Sequence, residues 1–300
     1  QWQGFRARSA GRPCVVVPPT VHPSLWQAGV ALEPHGISNK PVKVDAEGRI
    51  LIGELRATLS SKEVGVLAVS LANHELGTVE RLGELTEVAA EYGTLVFCDG
   101  VQALGRIPVD VSTMGIAGMS LSAHKIGGPK GVGALWLQPG PNLGPLVGGG
   151  KQEAGRRPGT EALPLIAGFA SAVRQVPERL ADSVRQAGLR DQVGKGLVAL
   201  GASLHSRPDG LCNTVCARFP GIAGELLVSS LDLEGVAIST GAACSSGTAQ
   251  PSAVLLGIGL TGAQALESIR VSLGPQNSAE DVDVLLELLH PILERVKRFS

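Results

Sequence analysis

Aromatic side chains are scarce in this chain, at 3% of 300 residues, so any core it builds is aliphatic. Charge imbalance is absent too. Its 26 Lys and Arg stand against 27 Asp and Glu, which leaves no basic footprint for nucleic acid or for an anionic membrane surface. No uninterrupted apolar run is long enough to span a bilayer. The N-terminal stretch Gln1–Arg8 is basic but lacks the apolar core of a signal peptide. It also lacks an initiator Met, so a natural start upstream is expected. Cysteines number five, at 14, 98, 212, 216 and 244. An odd, scattered set is not a disulfide framework and points to a reducing compartment, the cytoplasm or a reducing organelle. Cys212 and Cys216 are four apart in a segment that reads as a strand, with no paired His or Cys at finger-like spacing, so no metal site is expected.

Apolar residues, at 44% against 18% charged, make a sizeable core easy to bury. Glycine, at 40 residues, announces tight turns and close backbone approaches. The length suits one large domain and a smaller one. Strands are expected at Cys14–Val17, Val64–Leu71 and Thr94–Cys98. Between the last two, apolar residues at 82, 85, 88, 89 and 92 mark one face of a helix. Strand, helix and strand in that order predict a βαβ unit, hence an α/β domain with a largely parallel sheet. A long helical region runs from about Leu163 through Arg190. Shorter units follow: strands at Thr214–Phe219, Gly235–Ser239 and Ile269–Leu273, a helix over Ala223–Leu231, and a last helix capped by Ser278–Asp281. This predicts a smaller C-terminal α+β domain, with the boundary in the helical region near 180–200, drawn at 1–185 and 186–300.

Chemistry concentrates around Lys125. The strand-like Gly118-Met119-Ser120-Leu121 leads into Ser122-Ala123-His124-Lys125, then a Gly/Pro-rich loop and a second apolar strand at Val132–Leu137. An amine leaving a buried strand beside a histidine suits a pocket, where burial favours the neutral form that makes a Schiff base. That chemistry implies pyridoxal phosphate. Asp99 closes the strand ending Phe97-Cys98, and Gln102 follows it. Its carboxylate either pairs with a protonated pyridine nitrogen or caps a helix around Val101–Leu104. Asn73-His74-Glu75-Leu76-Gly77 ends the preceding strand on the same edge, where open α/β sheets bind ligands. The basic, glycine-rich stretch Gly148–Thr160 either holds a phosphate or carboxylate or is a surface loop. Cys244, in Gly241-Ala242-Ala243-Cys244-Ser245-Ser246-Gly247, is an accessible loop thiol and a candidate nucleophile. The other four cysteines read as packing.

Taken together, these motifs resemble the NifS/IscS-type cysteine desulfurases, class V aminotransferases of aspartate-aminotransferase-like fold, and their relative selenocysteine lyase. The resemblance runs from about residue 13 to the C-terminus. It implies that Lys125 of Ser-x-His-Lys holds pyridoxal phosphate and that Ser122 and His124 contact its phosphate. Asp99 and Gln102 of Asp-x-x-Gln would meet the pyridine nitrogen and phenolic oxygen, with His22 of Thr20-Val21-His22-Pro23 stacked on the ring. Thr160 would reach the phosphate of a neighbouring subunit, which implies a homodimer. Arg270 would clamp the substrate carboxylate. Cys244 would take sulfur from L-cysteine as a persulfide, leaving L-alanine, for an acceptor such as an iron–sulfur scaffold protein. Lys125 would move protons, assisted by His124 or His22. Selenocysteine lyase and a non-catalytic relative are the alternatives.

Two departures stand out. His74 occupies the second Asn of the family's Asn-Asn-Glu-x-Gly, a cofactor and substrate contact, with a bulkier group that can carry charge. No Gly-Ala-Thr-Glu-like phosphate cup precedes His22, so about eighty residues of a ~400-residue family member are expected to be missing.

Overall fold

The aliphatic runs of the N-terminal two-thirds build one sheet. A computed structural model describes residues 12–61, 63–140, 144–145, 147–241 and 250–297. Its strands β1 (Cys14–Val16), β2 (Ser38–Lys40), β3 (Val64–Ser70), β4 (Leu95–Asp99), β5 (Gly118–Ser122) and β6 (Gly133–Leu137) lie in the order β2-β1-β3-β4-β5-β6. All neighbours are parallel except β5 and β6. That exception follows from the connection. Parallel neighbours need a long crossover, whereas the short Gly/Pro link after Lys125 leaves room only for an antiparallel return. Gly133, opposite Ser122, is required there, because a Cβ would sit 2.6 Å from the Leu121 carbonyl oxygen.

Helices α1 (Pro23–Val30), α2 (Ile52–Leu59), α3 (Leu82–Glu91) and α4 (Leu163–Arg174) accompany this sheet. In α3, Leu82, Leu85, Val88 and Ala89 are buried as their spacing predicts; full burial of a Leu or Val contributes roughly 1.5–3 kcal/mol. With β3 and β4 it forms the expected βαβ unit. One cluster packs Val15, Val66, Ala68 and Phe97 of the sheet against Leu25 of α1. Another joins Ala123 and Ile126 to Phe169 and Ala172 of α4.

The chain divides into two units. The first takes the residues up to Lys43, Ile50–Leu71 and Glu80–Glu178; the second takes Val44–Arg49, Ala72–Val79 and the chain from Arg179. The expected single helical region is three helices, α4, α5 (Val176–Ala181) and α6 (Ser183–Ala199), with Gln175 and Asp182 between them. The second unit holds an antiparallel sheet of β7 (Ser203–Leu204), β8 (Thr214–Arg218), β9 (Ser239–Thr240) and β10 (Ser268–Ser272), in the order β7-β8-β10-β9. The strand expected at Gly235–Ser239 is shorter and later. Gly235 is a left-handed turn residue (φ 82°), and pairing with β10 begins at Ser239. Around this sheet lie α6, α7 (Gly224–Leu233), α8 (Ala253–Gly257), α9 (Gly262–Leu266) and α10 (Ala279–Lys297). Leu197, Leu227, Leu231, Ile269 and Leu289 form a fully buried aliphatic centre.

Candidate active site

Parallel strands carry their C-terminal ends to one edge, and that edge collects most of the candidate residues of the first unit. β4 ends in Asp99 and pairs it with Ser120 of β5. Asp99 is buried, and its Oδ1 accepts the Val101 N–H at 3.0 Å and the Ser120 hydroxyl at 3.4 Å. The expected helix around Val101–Leu104 is instead a run of hydrogen-bonded turns closing on the Gly100 carbonyl. Asp99 thus caps a turn while keeping a carboxylate at the sheet edge. Gln102 lies half-buried in that turn.

β5 passes directly into a 3-10 turn, Ala123–Ile126, closed by Gly127 in the left-handed conformation (φ 77°). Ala123 and Ile126 point into the core, so His124 and Lys125 face outward. This corrects one expectation: the Lys125 side chain is exposed in the single chain, not desolvated by it. A three-residue repeat puts 123 and 126 on one face and leaves 124 and 125 to the other. The Ser122 hydroxyl lies 2.8 Å from Nδ1 of His124. Partial burial, then the positive charges of Lys125 and Lys130, lower the His124 pKa.

His22 follows β1 and caps α1. Its Nδ1 accepts the Ser24 N–H at 3.1 Å and lies 2.8 Å from the Ser24 hydroxyl. Pro23 at the first helical position suits that start. The basic loop is exposed at Arg156, Arg157 and Thr160. Glu153 and Ala154 hold φ of 50° and 54°, a left-handed backbone unusual for side chains with a Cβ.

His74 and Arg270 belong to the second unit. Arg270 Nη1 donates to the His74 carbonyl at 3.1 Å, while its Nε is buried without a partner among the described residues. Next to His74 sits Glu75, a buried carboxylate that the sequence motif contained but that had no assigned role. Its Oε1 lies 3.4 Å from His74 Nε2, and its Oε2 accepts the Ser252 hydroxyl at 2.5 Å. Arg106 was missed as well. Its signal was the four-residue spacing from Gln102, whose carbonyl it binds.

Cys244 lies outside the described residues. The four described cysteines are buried and unpaired in disulfides. Burial, reinforced by Asp99, raises the Cys98 thiol pKa beyond any working range, and burial with Glu75 pushes Cys216 up to about 12.

The donor set at the first unit's sheet edge is one amine, a buried carboxylate, hydroxyls and imidazoles. It fits a small phosphorylated aldehyde with a basic ring. Comparison with known proteins supplies the family. Residues 5–285 match the family Aminotransferase class-V. A cysteine desulfurase of Cereibacter sphaeroides is 39% identical over 272 residues, covering 88% of this chain and 68% of that one. The chain belongs to the class-V aminotransferases, among the cysteine desulfurases. The cysteine desulfurase IscS 1 of Archaeoglobus fulgidus is 35% identical, covering 99% of this chain and 78% of the relative. A solved NifS-like protein superposes with a TM-score of 0.89 at 30% identity, over 98% of this chain and 78% of that one. Membership gives the large, mostly parallel sheet its place in the pyridoxal-phosphate-dependent transferase fold.

Proposed function

We propose that this chain is a pyridoxal-phosphate-dependent cysteine desulfurase that turns L-cysteine into L-alanine and carries the sulfur on Cys244. The observation that carries the reading is Lys125 in its turn at the end of β5, with buried Asp99 paired beside that strand at the end of β4, in a chain whose relatives are cysteine desulfurases.

When bound, pyridoxal phosphate supplies an aldehyde that condenses with amines and a ring that holds electrons drawn from the substrate. Lys125 would hold that group and, once released, move protons as base and acid. The Asp99 carboxylate would face a protonated ring nitrogen, with Gln102 at the phenolic oxygen and His22 over the ring. Ser122, His124 and a partner's Thr160 would bind the phosphate. Arg270 and His74 would hold the substrate. Cys244 thiolate would attack the sulfur of cysteine. The carbon–sulfur bond breaks with its electron pair going to carbon, the carbon takes a proton, and alanine leaves. A sulfur–sulfur bond forms on Cys244, and an acceptor such as an iron–sulfur scaffold protein would take that sulfur.

The test is the absorbance spectrum of the purified chain with pyridoxal phosphate, before and after cysteine, alongside assays of alanine and protein persulfide. A visible band abolished in Lys125→Ala, and persulfide abolished in Cys244→Ala, are expected. No band in the parent would sink the cofactor reading. A rate on selenocysteine far above that on cysteine would replace desulfurase with selenocysteine lyase.

A further inference from the structure

β4 and β5 end in two turns that carry Asp99 with Gln102 and His124 with Lys125. At the strand ends the turns are joined by the Asp99–Ser120 pairing and by the Gly100 N–H, which donates to the Ser120 carbonyl at 3.0 Å. Leu104 of one turn packs with Ala123 and Ile126 of the other in a shared apolar cluster. Such contact holds the turns close but is non-directional.

Arg106 adds direction. Its backbone N–H donates to the Ala103 carbonyl at 3.0 Å, which fixes it in the first turn. From there Nη1 donates to the Gln102 carbonyl at 2.9 Å and Nη2 to the Lys125 carbonyl at 3.3 Å. A planar guanidinium sets the angle between its two donors, so the fork ties the Lys125 backbone to that of Gln102 at a fixed separation. We propose that Arg106 is a positioning residue: it sets the turn that carries Lys125 against the turn that carries Asp99 and Gln102. An ammonium is a point charge and cannot reproduce the fork. The proposal rests on the reading of Lys125 as the cofactor-holding lysine.

Arg106→Met and Arg106→Lys in the full chain test it with three readouts. Without cofactor, amide hydrogen exchange over residues 123–128 should speed up about tenfold in Arg106→Met while β3 is unchanged. Pyridoxal phosphate titrated by absorbance should bind about tenfold to a hundredfold more weakly, and kcat should fall by a similar factor. KM for cysteine should stay within about threefold. Arg106→Lys should resemble Arg106→Met. Exchange over 123–128 within about twofold of the parent overturns the proposal, and so does a Lys variant that behaves as the parent. Acceleration that includes β3 overturns it as well, since Arg106 would then serve the fold at large. If the parent binds no pyridoxal phosphate, the proposed function fails while the exchange comparison still decides the role of Arg106.

Discussion

His124 takes a proton less readily than a free imidazole, because partial burial opposes its charge and Lys125 and Lys130 repel it. The unfolded chain therefore binds this proton more tightly than the folded one. The stability involved is present above the ordinary value of 6.5 and is lost as pH falls through 6.5 toward the lower folded midpoint. The ring is exposed, so the effect on unfolding is small and the titration itself is the better measure. An NMR titration should place the His124 midpoint below 6.5, and Lys130→Gln should raise it by removing one repelling charge; a parent midpoint above 6.5 would contradict this electrostatic account. The cysteines sort by the same logic. Thiolate is the reactive form, and burial denies it to Cys98 and Cys216. Iodoacetamide at mildly alkaline pH should leave Cys14, Cys98, Cys212 and Cys216 unlabelled in the native chain and label them all in guanidinium. Labelling of Cys98 before unfolding would show that its burial is not maintained in solution.

Ser252 links α8 to Glu75. Its hydroxyl donates to the buried carboxylate and accepts the N–H groups of Val254 and Leu255 at 3.1 and 3.3 Å. Ser252→Ala removes a cap, costing about 1 kcal/mol, and takes a partner from a buried carboxylate, costing about 1–3 kcal/mol more. Thermal unfolding should fall by about 5–10 °C; a loss under about 1 °C would mean that the bond contributes nothing net. Gly133→Ala should also destabilise the chain, because the added Cβ meets the backbone of Leu121, which cannot rotate away. At this scale the sequence was readable where burial was two-sided or periodic. The β3–α3–β4 unit and α10 declare themselves through aliphatic runs and helical spacing. The edge strand β2, Ser-Asn-Lys, carries no apolar signal at all and is held by backbone pairing with β1. The short helices α8 and α9 begin at Ser252 and Thr261 caps, in stretches too brief for periodicity to show. The residues at the ends of β4 and β5 were legible because motif and strand end coincide. Glu75 and Arg106 were not, since their partners lie 177 and 19 residues away and only folding brings them together.

At the scale of the molecule, the exposed loop carrying Thr160 bears on how many chains make one site. Three consecutive residues, Glu153, Ala154 and Gly155, hold left-handed backbone, and for the first two this is a conformation that persists when surrounding contacts over-determine it. Arg156, Arg157 and Thr160 face outward from the single chain. If Thr160 serves the phosphate of a second copy, each site takes Lys125 from one chain and Thr160 from the other. Two inactive variants then become informative together. In a mixed dimer of Lys125→Ala with Thr160→Ala, one site carries both defects and the other carries neither. Unfolding and refolding an equal mixture should yield about half mixed dimers, each with one intact site, and so about a quarter of the parent activity. Each variant refolded alone fixes the baseline. Size-exclusion chromatography with light scattering must show dimers throughout, because a monomer would remove the premise. Dimers that recover no activity above that baseline would place Thr160 in the site of its own chain, since a defect acting in cis leaves every site in the mixture with one damaged residue.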